Sequence, residues 1–227
     1  MSQHLSLGFS KADVLFQRGL AAIGLVVGLP MWLAIALAIR LDSAGPVFHA
    51  AVRVGRGGRL FRLFKFRTMV DGAAALGPRI TRAGDPRVTR VGRFLRRSRI
   101  DELPQLWNVV RGEMRFVGPR PEDPRFVALY TPEQQVVLSV CPGITGPSQL
   151  AFFNEEDLLA GGETESLYVH EIMPRKLALD AAYARHHTFV GDLRIMGRTL
   201  ARVVQSTRPV AFVGAPPGAE MLGHGSR

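Results

Sequence analysis

The chain has 227 residues, 47% of them hydrophobic, with a formal net charge of +10 and one cysteine. That length holds a single catalytic unit of about 150 to 200 residues plus an anchor; the lone Cys141 excludes an internal disulfide framework, suits a reducing cytosolic setting, and no Cys/His cluster has zinc-ligand spacing. Charge is concentrated: residues 40–120 hold 18 Lys and Arg against six Asp and Glu, a net +12, whereas 1–39 carry +1 and 121–227 carry −3, so the site for an anionic partner is expected in the first half of the globular part.

In chain order, residues 19–39 are 21 positions without a charge, bounded by Arg18 and Arg40. A straight helix of that length covers a hydrocarbon core of about 30 Å. Pro30 lies mid-run, where it removes a backbone hydrogen bond and predicts a kink. Basic residues flank both ends, which favours placing both on the cytoplasmic side. A spanning helix and a kinked re-entrant helix both fit these residues. A cleaved signal peptide fits worse, because the run is long and no small-residue cleavage site stands out before Arg40.

Residues 47–70 mix short β-like runs with glycines at 55, 57 and 58. Along 60–69 apolar and basic side chains alternate, yet Phe61, Leu63 and Phe66 share no single strand face, so a bulge or a switch to helix is expected. Lys65 and Arg67 share a face if the strand continues, and that face suits either a phosphate or plain solvation. Residues 71–85 read as a flexible connection. Between 85 and 100, Val91, Phe94, Leu95 and Ile100 have helical spacing, and the opposite face is cationic, fit for anionic headgroups or for a substrate.

Asp101 and Glu102 then open a helix expected to close at Arg111 with Gly112 as its C-cap. Adjacent acids at a helix start are ordinary capping residues. They also suit a reaction centre, since the helix dipole and nearby guanidiniums favour an ionised aspartate that can attack phosphorus or bind Mg²⁺. Arg120, held between Pro119 and Pro121, either meets a phosphate without reorganising or caps a helix. Helices are expected at 125–139, 174–187 and 191–206, a second rigid turn at 142–147, a helix start or cation site at 154–157, and a loose tail at 207–227.

Taken together these segments resemble the bacterial sugar transferases that act as monotopic phosphoglycosyl transferases. The resemblance runs over about residues 14–206 and rests on ordered motifs: the proline-broken anchor, Gly45-Pro46-Val47-Phe48, Arg53-Val54-Gly55, Lys65-Phe66-Arg67-Thr68-Met69, Asp85 to Gly92, Asp101-Glu102-Leu103-Pro104-Gln105, Gly118-Pro119-Arg120-Pro121 and Pro142 to Gly146. It implies an α+β, membrane-associated fold: a re-entrant helix broken at Pro30, amphipathic interfacial helices, and a small, mostly helical cytoplasmic catalytic domain with a few short strands. The implied layout is an N-terminal segment and anchor over 1–44, a catalytic domain over 45–206 and the tail after it, on the cytoplasmic face of the bacterial inner membrane.

The implied reaction moves a sugar 1-phosphate from a UDP-sugar to undecaprenyl phosphate with release of UMP, the first membrane step of glycan assembly. Asp101 is the implied nucleophile, Glu102 its partner, and Mg²⁺ the cofactor held by both. Lys65, Arg67, Arg90 and Arg120 are the candidates for phosphate contact. Membrane lipids are partners, self-association is left open, and no nucleic acid is expected. A membrane-tethered nucleic-acid binder would have no use for Asp101 and Glu102, which repel a polyanion, and a non-catalytic scaffold would tolerate their loss. The chain departs from the family pattern at Leu29, Asp13-Val14, Gln17 and Ala51, and at Gly112-Glu113-Met114-Arg115. Phe152 to Glu156 and Pro174 to Leu177 resemble a subgroup with a different sugar-facing region, so the sugar stays open.

Overall fold

A computed structural model describes residues 11–78, 80–159 and 164–207. The expected tail falls almost wholly outside them. Two helices open the described chain, α1 (Lys11–Val27) and α2 (Leu29–Asp42), bent by 60° where Gly28 joins them. Pro30 sits in the first turn of α2, so the hydrogen bond it cannot make falls at the bend. Neither helix alone is long and apolar enough to cross a membrane, while the bent pair is so by length and composition. Leu15, Phe16, Ile23, Val27 and Leu33 are all more than 60% exposed.

Strands β1 (Phe48–Val54) and β2 (Leu60–Phe66) form an antiparallel hairpin in unbroken register from Phe48↔Phe66 to Val54↔Leu60. The expected bulge is therefore absent. Both faces of β2 are covered instead: Leu63 packs with Ala21, Val109 and Met114, and Phe66 packs with Ile39 and Leu95 on the other side. One apolar face was the wrong template, because helices lie against both.

Helix α3 (Arg90–Arg97) is capped by Thr89, whose Oγ1 accepts from Gly92 N, and by Asp42 of α2, whose carboxylate accepts from Val91 N at 2.9 Å. The next helix, α4 (Gln105–Arg111), begins four residues later than expected and ends as expected, with Gly112 in the left-handed conformation at φ 77°. Beyond it, β3 (Arg115–Val117) pairs in parallel with β4 (Gly143–Thr145). The predicted helix at 125–139 is split into α5 (Pro124–Val127) and a 3-10 stretch at Gln134–Ser139. Short helices α6 (Pro147–Ala151), α7 (Glu155–Leu158) and α8 (Thr164–Leu167) lead into the long α9 (Met173–His186) and α10 (Phe189–Thr207), which match the two final helices expected. A third apolar cluster, including Phe126, Tyr168, Ile172 and Leu177, packs under α9.

Asn108 ties α4 to the hairpin. It is fully buried, accepts from Phe64 N at 3.1 Å, and donates to Arg62 O and Glu113 Oε2, each at 2.7 Å. One side chain thus satisfies two backbone groups on the free edge of β2. Replacing Asn108 with Ala strands those groups in an apolar setting, and the expected loss is about 1–3 kcal/mol, read as a lowered unfolding midpoint of the purified protein. An unchanged midpoint would show that the edge is satisfied another way.

Candidate active site

The approach to the site is set by one backbone feature. Arg99, directly after α3, has φ 57°, and among the described residues it is the one non-glycine residue with positive φ. An L-residue held there is strained by about 1–3 kcal/mol. That turn sends the chain into a tight 3-10 turn at Ile100–Glu102, which buries both carboxylates: Asp101 is 6% exposed and Glu102 7%. The pair therefore precedes α4, and neither acid caps it with a side-chain hydrogen bond.

Three cations, two from distant stretches and one from the preceding turn, meet on one oxygen of Glu102. Its Oε1 accepts from Lys65 Nζ of β2 at 2.7 Å and from Arg120 Nη1 at 3.3 Å, with Arg99 Nη1 at 4.0 Å. Burial opposes the charge on Glu102, but Lys65, Arg120 and Arg99 outweigh it and hold the carboxyl well below the usual range. Burial also pulls the Lys65 ammonium downward, opposed by Glu102. On Arg120 burial is outweighed by Glu102, with Glu155 and Glu122 behind it, and its affinity for the proton rises.

Asp101 meets the opposite fate. Burial, with Glu102 adding to it, pushes its carboxyl up to about 6 in spite of Lys65, Arg99 and Arg96. Its Oδ1 is buried without a hydrogen-bond partner. The expectation that dipole and guanidiniums would favour the ionised aspartate is thus reversed, because burial, with the Glu102 charge beside it, outweighs the pull of Lys65, Arg99 and Arg96. Asp101 is thus a carboxyl with one bare buried oxygen and a midpoint near neutrality.

Of the four predicted phosphate contacts, the structure brings Lys65 and Arg120 to the carboxylates. Arg67 lies elsewhere: strand β2 ends at Phe66, and the Arg67 guanidinium turns to the C-terminus of α2, donating to Ser43 O and Ala44 O at 2.6 Å each. It ties the turn that follows α2 to the end of β2. Arg90, exposed in the first turn of α3, faces Asp42. The arginine missed from that stretch is Arg99, whose signal was its place three residues before Glu102. Its guanidinium also lies 4.7 Å from the Phe153 ring centre and donates to Phe153 O. The acidic stretch after Phe153 starts the short helix Glu155–Leu158 and meets cationic side chains: Glu155 pairs with Lys176 at 2.9 Å and Glu156 with Arg96 at 2.7 Å.

Among the described residues no group of three or more His, Cys, Asp or Glu side chains converges as a metal cage. Glu102 Oε1 already meets three cations, whereas Asp101 Oδ1 is a buried oxygen without a hydrogen-bond partner, a donor that suits a hard divalent ion. Mg²⁺ commonly takes one or two carboxylates and completes its shell with water and substrate phosphates.

The bacterial sugar transferase family model matches residues 10–206, and the chain belongs to that family. It is 39% identical over 208 residues to an undecaprenyl-phosphate glucose phosphotransferase of Komagataeibacter xylinus, covering 87% of this chain and 37% of the relative. It is 41% identical over 176 residues to a UDP-glucose:undecaprenyl-phosphate glucose-1-phosphate transferase of Caulobacter vibrioides, covering 75% and 61%. With an exopolysaccharide production protein, ExoY, of Sinorhizobium fredii it shares 32% identity over 88% of this chain and 87% of the relative. The chain thus spans only part of the first two relatives.

The charge arrangement predicts a titration order. Asp101 ionises as pH rises through about 6, whereas Glu102 stays charged far below that. Lys65→Met removes a cation that favours both carboxylates, so both midpoints move up; carboxyl-selective ¹³C NMR of the labelled protein reads this directly. A Lys65→Met spectrum with unmoved midpoints contradicts the shared-cation arrangement.

Proposed function

We propose that this chain transfers a sugar 1-phosphate from a UDP-sugar to undecaprenyl phosphate, with Asp101 as covalent nucleophile. The observation that carries this reading is the contrast between two neighbouring carboxylates: Glu102 is saturated with cations and Asp101 has a bare buried oxygen. Family membership and the named activities of the Komagataeibacter and Caulobacter relatives support the substrates.

The chemistry follows from those positions. An Asp101 carboxylate oxygen attacks the sugar-bearing phosphorus of the donor. The bond from that phosphorus to the oxygen bridging to UMP breaks, and UMP departs with the electron pair. An oxygen of undecaprenyl phosphate then attacks the same phosphorus, releasing the Asp101 carboxylate and forming the lipid-linked diphosphosugar. Splitting the transfer lets two mutually repelling phosphate substrates use the site in turn. Lys65, Arg99 and Arg120 stabilise the charge that grows on the phosphoryl oxygens, and Glu102 keeps the three gathered before the substrate arrives. Asp101 and Glu102 are the residues that would hold Mg²⁺, which when bound would supply further neutralisation of the diphosphate charge. Asp101→Asn is expected to lower UMP release by about 10³-fold or more and to abolish a phosphosugar adduct on the peptide carrying residue 101. Normal turnover with an unmodified peptide would sink the covalent route.

The same reading places the bent α1–α2 pair as a re-entrant anchor at the cytoplasmic face of the bacterial inner membrane. Its support is the exposed apolar surface on both helices and the charged flanks at Arg18 and Arg40. Tags fused at either terminus are expected to stay shielded from periplasmic labelling reagents in intact cells, and a labelled N-terminal tag contradicts the re-entrant path.

A further inference from the structure

Arg120 reaches Glu102 from a turn whose geometry is set by groups outside the reaction centre. The turn at Gly118-Pro119-Arg120-Pro121 lies backbone to backbone on the second glycine-proline turn: Gly118 N donates to Thr145 O at 2.9 Å, and Gly143 N donates to Pro119 O at 3.0 Å. A Cβ on Gly143 would stand 2.1 Å from Gly118 N, and one on Gly146 would stand 2.2 Å from Gly118 O. No side chain fits between the two turns, which accounts for the glycines of a motif that the transfer chemistry leaves unused.

Beneath this junction sits Asp180 of α9, 4% exposed. Its Oδ2 accepts from Ser148 Oγ at 2.7 Å and from the backbone N of Arg120 at 3.3 Å, and its Oδ1 accepts from Ser148 N at 3.2 Å. One carboxylate therefore clasps the backbone of Arg120 and the first turn of α6, which follows directly on the second glycine-proline turn. Burial pushes the Asp180 carboxyl upward, opposed by the hydrogen bonds from Ser148 and Arg120 and by Lys176. A group kept in so unfavourable a place, with each oxygen aimed at the junction, has a role beyond filling space.

We infer that Asp180 is a positioning residue for Arg120: by fixing the Arg120 backbone against α6, it aims the guanidinium at Glu102 and the substrate phosphoryl group. The inference rests on the site reading above. Two prolines limit the turn's dihedrals, the apposed glycines set its height, and the Asp180 carboxylate sets its rotation about the junction.

The test is a double-mutant cycle on the full chain in detergent or nanodiscs, scored by UMP release at saturating donor. Asp180→Asn keeps shape and replaces one acceptor with an NH₂ group facing donors; kcat is expected to fall roughly 10- to 100-fold, the loss typical of a displaced catalytic group, with KM for the donor changed less. In an Arg120→Ala background the same change is expected to alter kcat by less than about twofold, since nothing remains to be aimed. Equal losses in both backgrounds, or no loss in the parent, overturn the inference. Full activity of Arg120→Ala alone overturns the site reading and the inference together, which separates the two failures. Should Asp180→Asn not accumulate, Ser148→Ala, which removes one donor and leaves the carboxylate, is expected to show the same background dependence at about 3- to 10-fold, and its absence counts equally against the inference.

Discussion

The ion cluster on Glu102 is the constraint that organises this molecule. Its cations come from a strand, from a strained turn and from a proline-flanked loop, so the cluster forms only when the hairpin, α3 and the paired glycine turns are all in place. Burying so many charges is not an efficient way to stabilise a fold, because desolvation cancels much of the attraction. What it provides is geometry. Three donors are fixed around one acceptor in advance, and the acid next door keeps one buried oxygen, Oδ1, without a hydrogen-bond partner.

That division gives one dipeptide two carboxyls of opposite titration. Asp101 and Glu102 share a turn, a depth and a local field, yet one is driven up by burial and the other down by cations. The backbone makes the difference: the left-handed Arg99 and the 3-10 turn after it point Glu102 toward β2 and Arg120. An aspartate at the first position of a regular helix would have faced solvent and the dipole, the environment that the residue pattern had implied.

Much of this was legible in the residues, and the failures have physical causes. The bend at Pro30, the cap at Gly112, the rigid turn around Arg120 and the two closing helices follow from local chemistry and are found where expected. The register of β2 was misread because strand rules assume one covered face, whereas Leu63 and Phe66 meet helices on opposite sides. Arg67 looked like a phosphate ligand because charge says nothing about direction; one residue past the strand end it serves α2. Arg99 and Asp180 were passed over for a related reason, since their importance lies in a dihedral angle and in a contact across 60 residues.

Residues 11–42 are not a detachable tether. Ala21 lies in the same cluster as Leu63, Val109 and Met114, and Ile39 in the same cluster as Phe66 and Leu95, while Asp42 of α2 caps α3 and Arg67, just past β2, donates to the turn that follows α2. A fragment trimmed to begin at the hairpin would keep every charged group of the reaction centre and lose one wall of two of its three hydrophobic nuclei. Truncating the chain at the hairpin therefore removes the support of the very strand that carries Lys65.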